Sequence, residues 1–250
     1  MDALTLRASR PLAIALSPLI VPQGRQVDRD LPKLPEATGP RSGVSGDGPP
    51  LSLLVIGEST AAGVGVVNLG DSVAGHMVGM MAARGLRVSW GVLGATGNTA
   101  AKTLLRWVPR ATDRYDVVVV MLGVNDVLAV TPAGQWRATV LRILTALAGR
   151  LTDGGRIVLT GVPRVETFPS LPQPLRSVLG LHARALDRQL VELARRMDRV
   201  RHLPTAPVRA GDFLSNDRFH PSASGYHEWA RSVVEDALAD WSWPNPESTG

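Results

Sequence analysis

The chain of 250 residues contains no cysteine. Disulfides, thiolate nucleophiles and cysteine-based zinc sites are thereby excluded, and cysteine usage says nothing about the redox compartment. Lysine stands only at positions 33 and 102, although Lys and Arg together number 27. Aromatic residues make up only 4%, which argues against a carbohydrate-binding platform. The apolar stretch at residues 11–22 (PLAIALSPLIVP) carries three prolines and falls short of the roughly 18 to 20 residues that a membrane-spanning helix requires. Two familiar motifs are also missing. Without Gly-x-Ser-x-Gly the chain is not an ordinary α/β-hydrolase, and without Gly-Lys-Ser/Thr it has no Walker P-loop.

What is present is ordinary for a soluble globular protein, with 44% hydrophobic and 20% charged residues. The length suits one α/β domain with a full core and an appendage. The net charge of +5 invites a nucleic-acid reading, but the arginines are scattered or interleaved with acids, as in Arg195-Arg196-Met197-Asp198-Arg199. That pattern is a solvated helix face, and no nucleic-acid partner is expected.

The first fifty residues differ from the rest. Arg7 and Arg10 ahead of the apolar stretch resemble the start of a signal peptide, yet no A-x-A site follows and residues 22–25 make a poor cleavage context. A cytoplasmic location is expected, with export or membrane association as the alternatives. The stretch either packs on the body, covers a cleft or touches a membrane surface. Residues 25–50 are rich in Pro, Gly and charge and read as a linker or an extended arm laid over the surface. The expected organisation is therefore an N-terminal segment and arm at 1–50, a main domain at 51–243 and a C-terminal tail at 244–250.

From Leu51 onward short apolar runs alternate with segments of helical period. Strands are expected at Leu51 to Ile56, Leu86 to Leu93, Asp116 to Leu122, Arg156 to Val162 and Val200 to Leu203. Helices are expected near Asp71 to Ala83, Thr99 to Ala111, Pro132 to Leu151, Leu175 to Met197 and Ser222 to Ala239. Such alternation implies a parallel sheet with helices on both faces, and Val117-Val118-Val119-Val120 has the continuous apolarity of a strand buried on both sides. The fold class is a three-layer α/β/α sandwich with a five-stranded parallel sheet. Sites in such folds lie at the carboxyl ends of the strands, where the chain's chemistry-bearing residues also fall.

Gly57-Glu58-Ser59 follows the first strand, and Thr60-Ala61-Ala62-Gly63-Val64-Gly65 after it is small enough to let a substrate approach the backbone. This position suits a nucleophile, a helix cap or a phosphate-holding turn. Asp217 and His220 stand three residues apart. One turn then brings the carboxylate to one imidazole nitrogen and leaves the other to take a serine proton, and Pro221 starts a helix. The alternative is a plain loop ion pair. Gly123-Val124-Asn125-Asp126 follows the buried third strand, where the Asn125 amide faces the cleft as an oxyanion donor or serves as a turn residue. Ala95-Thr96-Gly97-Asn98-Thr99 brings the Gly97 amide to the same edge. His182 and His227 fall within helical patterns, as packing or surface residues.

Four such segments in one order, over roughly residues 51 to 240, resemble the SGNH hydrolase superfamily, also called the GDSL lipase/esterase family. The resemblance implies that Ser59 is the nucleophile, that His220 is the base oriented by Asp217, and that the Ser59 amide, Gly97 and Asn125 form an oxyanion hole. It also implies a flavodoxin-like sheet, no metal or cofactor, and hydrolysis of acyl esters, small or lipid-like. Glu58 stands where the family has Asp, a departure read as not touching the acting groups but as lengthening a side chain in the turn, enough to shift the turn's hydrogen bonds. Acyl transfer with the same residues is an alternative. A nucleotide-binding flavodoxin-like module is another, but it leaves Asp217 and His220 unexplained. After the fourth strand, the proline-rich loop 161–175 offers Phe168, Leu171 and Leu175 either to an acyl pocket or to packing beneath the loop.

Overall fold

The computed structural model describes residues 8–205 and 213–239. Arg7 and the tail at 244–250 lie outside the described residues. Two N-terminal helices, α1 (Ser9–Ala15) and α2 (Ser17–Asp30), precede the short strand β1 (Ser42–Ser45). Strand and helix then alternate through β2 (Pro50–Gly57), α3 (Val73–Ala83), β3 (Arg87–Gly94), α4 (Ala100–Arg106), β4 (Tyr115–Met121), the single turn α5 (Val124–Leu128) and α6 (Ala133–Ala148). They continue through β5 (Leu151–Thr160), α7 (Leu175–Ala194), β6 (Val200–Leu203) and α8 (Ala223–Ala237).

The six strands form one sheet in the order β1-β3-β2-β4-β5-β6. The last five are mutually parallel, and their order β3-β2-β4-β5-β6 is that of the flavodoxin-like doubly wound fold. The sixth strand was not expected. β1 comes from the Pro/Gly-rich arm and pairs antiparallel with β3, from Ser42 opposite Gly91 to Ser45 opposite Val88. Its sequence SGVS carries no apolar alternation, so the free edge of β3 specifies it rather than its own side chains.

Both faces of the sheet are buried. Leu54, Ile56, Val118 and Val120 pack toward Trp136 and Leu186 on α6 and α7, while Leu53, Val55, Val117 and Val119 pack toward Met77 and Trp229 on α3 and α8. This two-sided burial is the reason β4 reads as unbroken valine.

Three boundaries differ from expectation. The helix after β3 stops at Arg106 and gives way to a tight turn at Val108–Arg110, because Pro109 has no N–H to continue it. Leu151 opens β5 instead of closing α6. The third difference is at the N-terminus, where the arm expected from residue 25 is helical as far as Asp30, with Pro22 inside α2. Tertiary anchoring outweighs the lost hydrogen bond there. Ala13 and Ile20 are buried in the α6/α7 side of the core. Gln23 Nε2 donates to Gln173 O at 2.7 Å, and Leu175 N donates to Gln23 Oε1 at 3.1 Å. Among the described residues no helix is long and apolar enough to cross a membrane.

Candidate active site

The loop after β2 is shaped by close backbone approaches. A Cβ at Gly57 would lie 2.1 Å from Met121 O, so only glycine lets the end of β2 meet β4. Gly65 has φ +109, and a Cβ there would lie 2.2 Å from Pro221 O, so glycine also lets the serine loop press against the histidine segment. Tyr226 of α8 is fully buried and donates its hydroxyl to Val64 O at 2.7 Å. The nearly buried Ser59 is thus held against the residues preceding α8.

Those residues form a turn around one carboxylate. Asp217 Oδ1 accepts from Phe219 N and His220 N at 2.9 Å and from Ser215 Oγ at 3.0 Å, while Oδ2 lies 2.6 Å from His220 Nδ1. Arg218, between them, takes a left-handed φ of +54. Burial works to raise the Asp217 pKa, but the hydrogen bonds from the His220 ring and from the His220 and Phe219 amides outweigh it, and the net shift is downward. An ionised Asp217 fixes the tautomer, with Nδ1–H donating to it. His220 Nε2, 3.0 Å from Ser59 Oγ, is then free to accept the serine proton. Ser59, His220 and Asp217 are therefore joined in one continuous chain of hydrogen bonds, contributed by segments 161 positions apart.

Asn125 is held by Glu58, which corrects the expectation that Glu58 leaves the acting groups untouched. Glu58 Oε2 accepts from Asn125 Nδ2 at 2.7 Å and from Asn125 N at 3.2 Å, and Oε1 accepts from Val124 N at 3.0 Å. The carboxylate beside the serine thus fixes both the backbone and the side-chain amide of Asn125. Burial pushes the Glu58 pKa up to about 7 against the pull of these three donors, with nearby Asp126 adding to the rise. Asp126 itself accepts from Ala100 N at 2.7 Å and from Thr131 Oγ1 at 3.0 Å, tying the loops after β3 and β4 together. Sequence reasoning singled out Glu58 but missed the partners of both carboxylates, since the Glu58–Asn125 contact spans 67 positions.

Gly97 sits at the same sheet edge with φ +72. Its turn is held by Lys102 Nζ donating to Gly97 O at 3.0 Å and by Thr96 N donating to Glu36 Oε1 at 2.7 Å. No hydrogen bond joins Gly97 to Ser59 or Asn125 among the described residues. The amide N–H groups of Ser59 and Gly97 donate to nothing there, and Asn125 Nδ2 spends one of its two hydrogens on Glu58. Buried or half-buried donors left unpaired at one edge are uncommon and mark a place for an acceptor.

Phe168, Leu171 and Leu175 are all buried. Phe168 packs edge-on against Phe219, ring centres 5.0 Å apart, and lines a small cavity of about 40 Å³ bounded also by Ser59 and His220. His182 is a packing residue as expected. It is fully buried, with Nδ1 3.1 Å from Ser9 Oγ and Nε2 3.0 Å from Thr131 O. That second Ser–His pair has a backbone carbonyl where a carboxylate would stand.

Residues 55–228 match the model of the GDSL-like Lipase/Acylhydrolase family. A search of curated proteins found no match. Among solved structures, the chain is similar to TesA (TM-score 0.59, 19% identity, covering 75% of this chain and 97% of that one). It is also similar to the psychrotrophic esterase EstA from Pseudoalteromonas sp., solved as inhibited by monoethylphosphonate (TM-score 0.58, 14% identity, 76% and 97% covered). A third is Axe2, an acetylxylan esterase from Geobacillus stearothermophilus (TM-score 0.52, 20% identity, 80% and 98% covered). At these identities the likeness is one of fold.

Proposed function

The chain belongs to the GDSL-like lipase/acylhydrolase family and is a hydrolase of the esterase/lipase type, and on that premise we propose that it cleaves carboxylic esters through an acyl-enzyme on Ser59. His220 Nε2 takes the Ser59 proton as Oγ attacks the ester carbonyl carbon. Asp217 holds Nδ1–H and stabilises the imidazolium that results. The carbonyl oxygen, now carrying the negative charge, receives the unspent N–H groups of Ser59, Gly97 and Asn125 Nδ2. Collapse of the tetrahedral intermediate breaks the bond to the alcohol, whose oxygen takes the proton from His220. Water then repeats the sequence on the acyl-enzyme, returning the proton to Ser59 and releasing the acid.

The observation that carries this reading is the relay of 3.0 Å and 2.6 Å from Ser59 through His220 to Asp217. The family's activity supports an ester as substrate, and the unpaired amides at the same edge support a developing oxyanion there. Hydrolysis of nitrophenyl esters by wild type and Ser59→Ala is the test. The variant is expected to keep its circular dichroism spectrum and lose turnover by about 10⁴-fold or more. Turnover retained in a clean preparation of the variant contradicts the reading.

A further inference from the structure

A second, larger cleft of about 540 Å³ runs from the histidine to the N-terminal helix α2. Phe219, His220 and Thr96, the neighbour of Gly97, are among its lining residues, so the cleft reaches the proposed base. One long wall comes from the body of the domain, through Leu128, Val130, Leu171 and Leu175. The opposite wall is α2, which presents Ile20, Gly24 and Val27, with Leu31 just past its C-terminal end. The three helical residues follow the i, i+4, i+7 spacing of a single helix face.

Both walls carry apolar surface beyond what the core covers. Val21 and Leu128 line the cleft yet remain 45% and 44% exposed, so the fold leaves oily surface uncovered on both sides of a space that reaches the proposed base. Gly24 stands in the middle of the α2 stripe, and a Cβ built there meets nothing within 4 Å. Glycine is a poor helix former, and no turn, positive φ or close approach requires it here. It leaves the middle of the cleft open. The helix itself is pinned by the two hydrogen bonds of Gln23 to Gln173 and to Leu175 at the start of α7, so the wall is fixed and not loosely apposed. A volume in the hundreds of cubic ångströms suits an organic ligand of several carbons.

We propose that α2, which lies outside the residues matching the family model, forms with the body of the domain a subsite that binds a linear aliphatic chain of the ester substrate. The assignment rests on the esterase reading of Ser59 and names the substrate class as an ester with an extended aliphatic chain. The chain is carried on either the acyl or the alcohol side, and two substrate series separate the sources.

The test measures kcat/KM of wild type and Gly24→Trp for nitrophenyl acetate, butyrate and octanoate, and for ethyl, butyl and octyl acetate. Wild-type kcat/KM is expected to climb along one series, by up to about fourfold per added methylene, and the series that climbs identifies the side. In Gly24→Trp, whose indole fills the middle of the cleft, the ratio of the longest to the shortest member falls at least tenfold. Thermal melting checks that the variant is folded. Wild-type rates that fall with length in both series, or a ratio unchanged in Gly24→Trp, overturn the proposal. If wild type cleaves no ester, the esterase reading fails separately. The subsite is then decided by calorimetric titration of Ser59→Ala with octanoate and with octanol. Binding of either that is lost in the Ser59→Ala/Gly24→Trp double variant supports the subsite, and binding of neither overturns it.

Discussion

Asp217 spends both carboxylate oxygens within four residues, one on the backbone of the turn and one on the His220 ring. Asp217→Asn keeps the size but offers an amide that holds the other tautomer, so kcat is expected to fall by about 10³ to 10⁴-fold with little change in KM. Steady-state kinetics on a nitrophenyl ester reads this directly. Glu58 gives a prediction with two opposed signs. Its carboxyl titrates near 7 in the fold but near 4.5 when unfolded, so between those values the folded protein keeps a proton that the unfolded chain gives up. This contribution to stability is fully present below the unfolded value and is lost as pH rises through about 7, by up to about 3 kcal/mol. Activity runs the other way, since only the ionised carboxylate can accept all three donors from Val124 and Asn125. Glu58→Gln is therefore expected to flatten the loss of stability over this window in denaturant titrations. It also lowers kcat by about tenfold or more, because an amide accepts through one oxygen only.

The elements hold these residues through loops packed on one another. Tyr226 on α8 is the main tie between the serine loop and the helix that follows the histidine. Tyr226→Phe leaves Val64 O without its buried donor and is expected to cost about 1 to 3 kcal/mol, lowering kcat further as the distance between Ser59 and His220 loosens. Urea unfolding and a kcat measured well below the melting temperature separate the two effects. The same scale explains what was legible beforehand. All five parallel strands were readable because each is a short apolar run between turn residues. The meeting of Ser59, Asp217 and His220 was foreseeable because their signals are local, a serine two residues past a strand and a three-residue spacing. The grip of Glu58 on Asn125 was not, since nothing at either position indicates a partner 67 positions away. β1 was hidden for a similar reason, as its pairing belongs to β3. The helix over residues 17–30 was hidden by Pro22 and Gly24, which speak against a helix locally while the docked face of Ile20 and the hydrogen bonds of Gln23 impose one.

At the scale of the whole molecule, the doubly wound sheet sends the ends of β2, β3 and β4 to one edge, and the crossing helices return the Asp217–His220 turn to that edge from the far end of the chain. The N-terminal helices complete the arrangement. Ser9 and His182 fasten α1 to α7, α2 walls the aliphatic cleft, and the arm adds a strand to the sheet. The account stands or falls on the nucleophile, and the most direct measurement is the site of labelling by an alkyl nitrophenyl phosphonate, read by intact mass and peptide mapping. One adduct on Ser59, absent in Ser59→Ala and formed at least about 10²-fold more slowly in His220→Ala, is the predicted result. An adduct on any other serine, Ser9 beside His182 included, or equal labelling of Ser59→Ala, would contradict it.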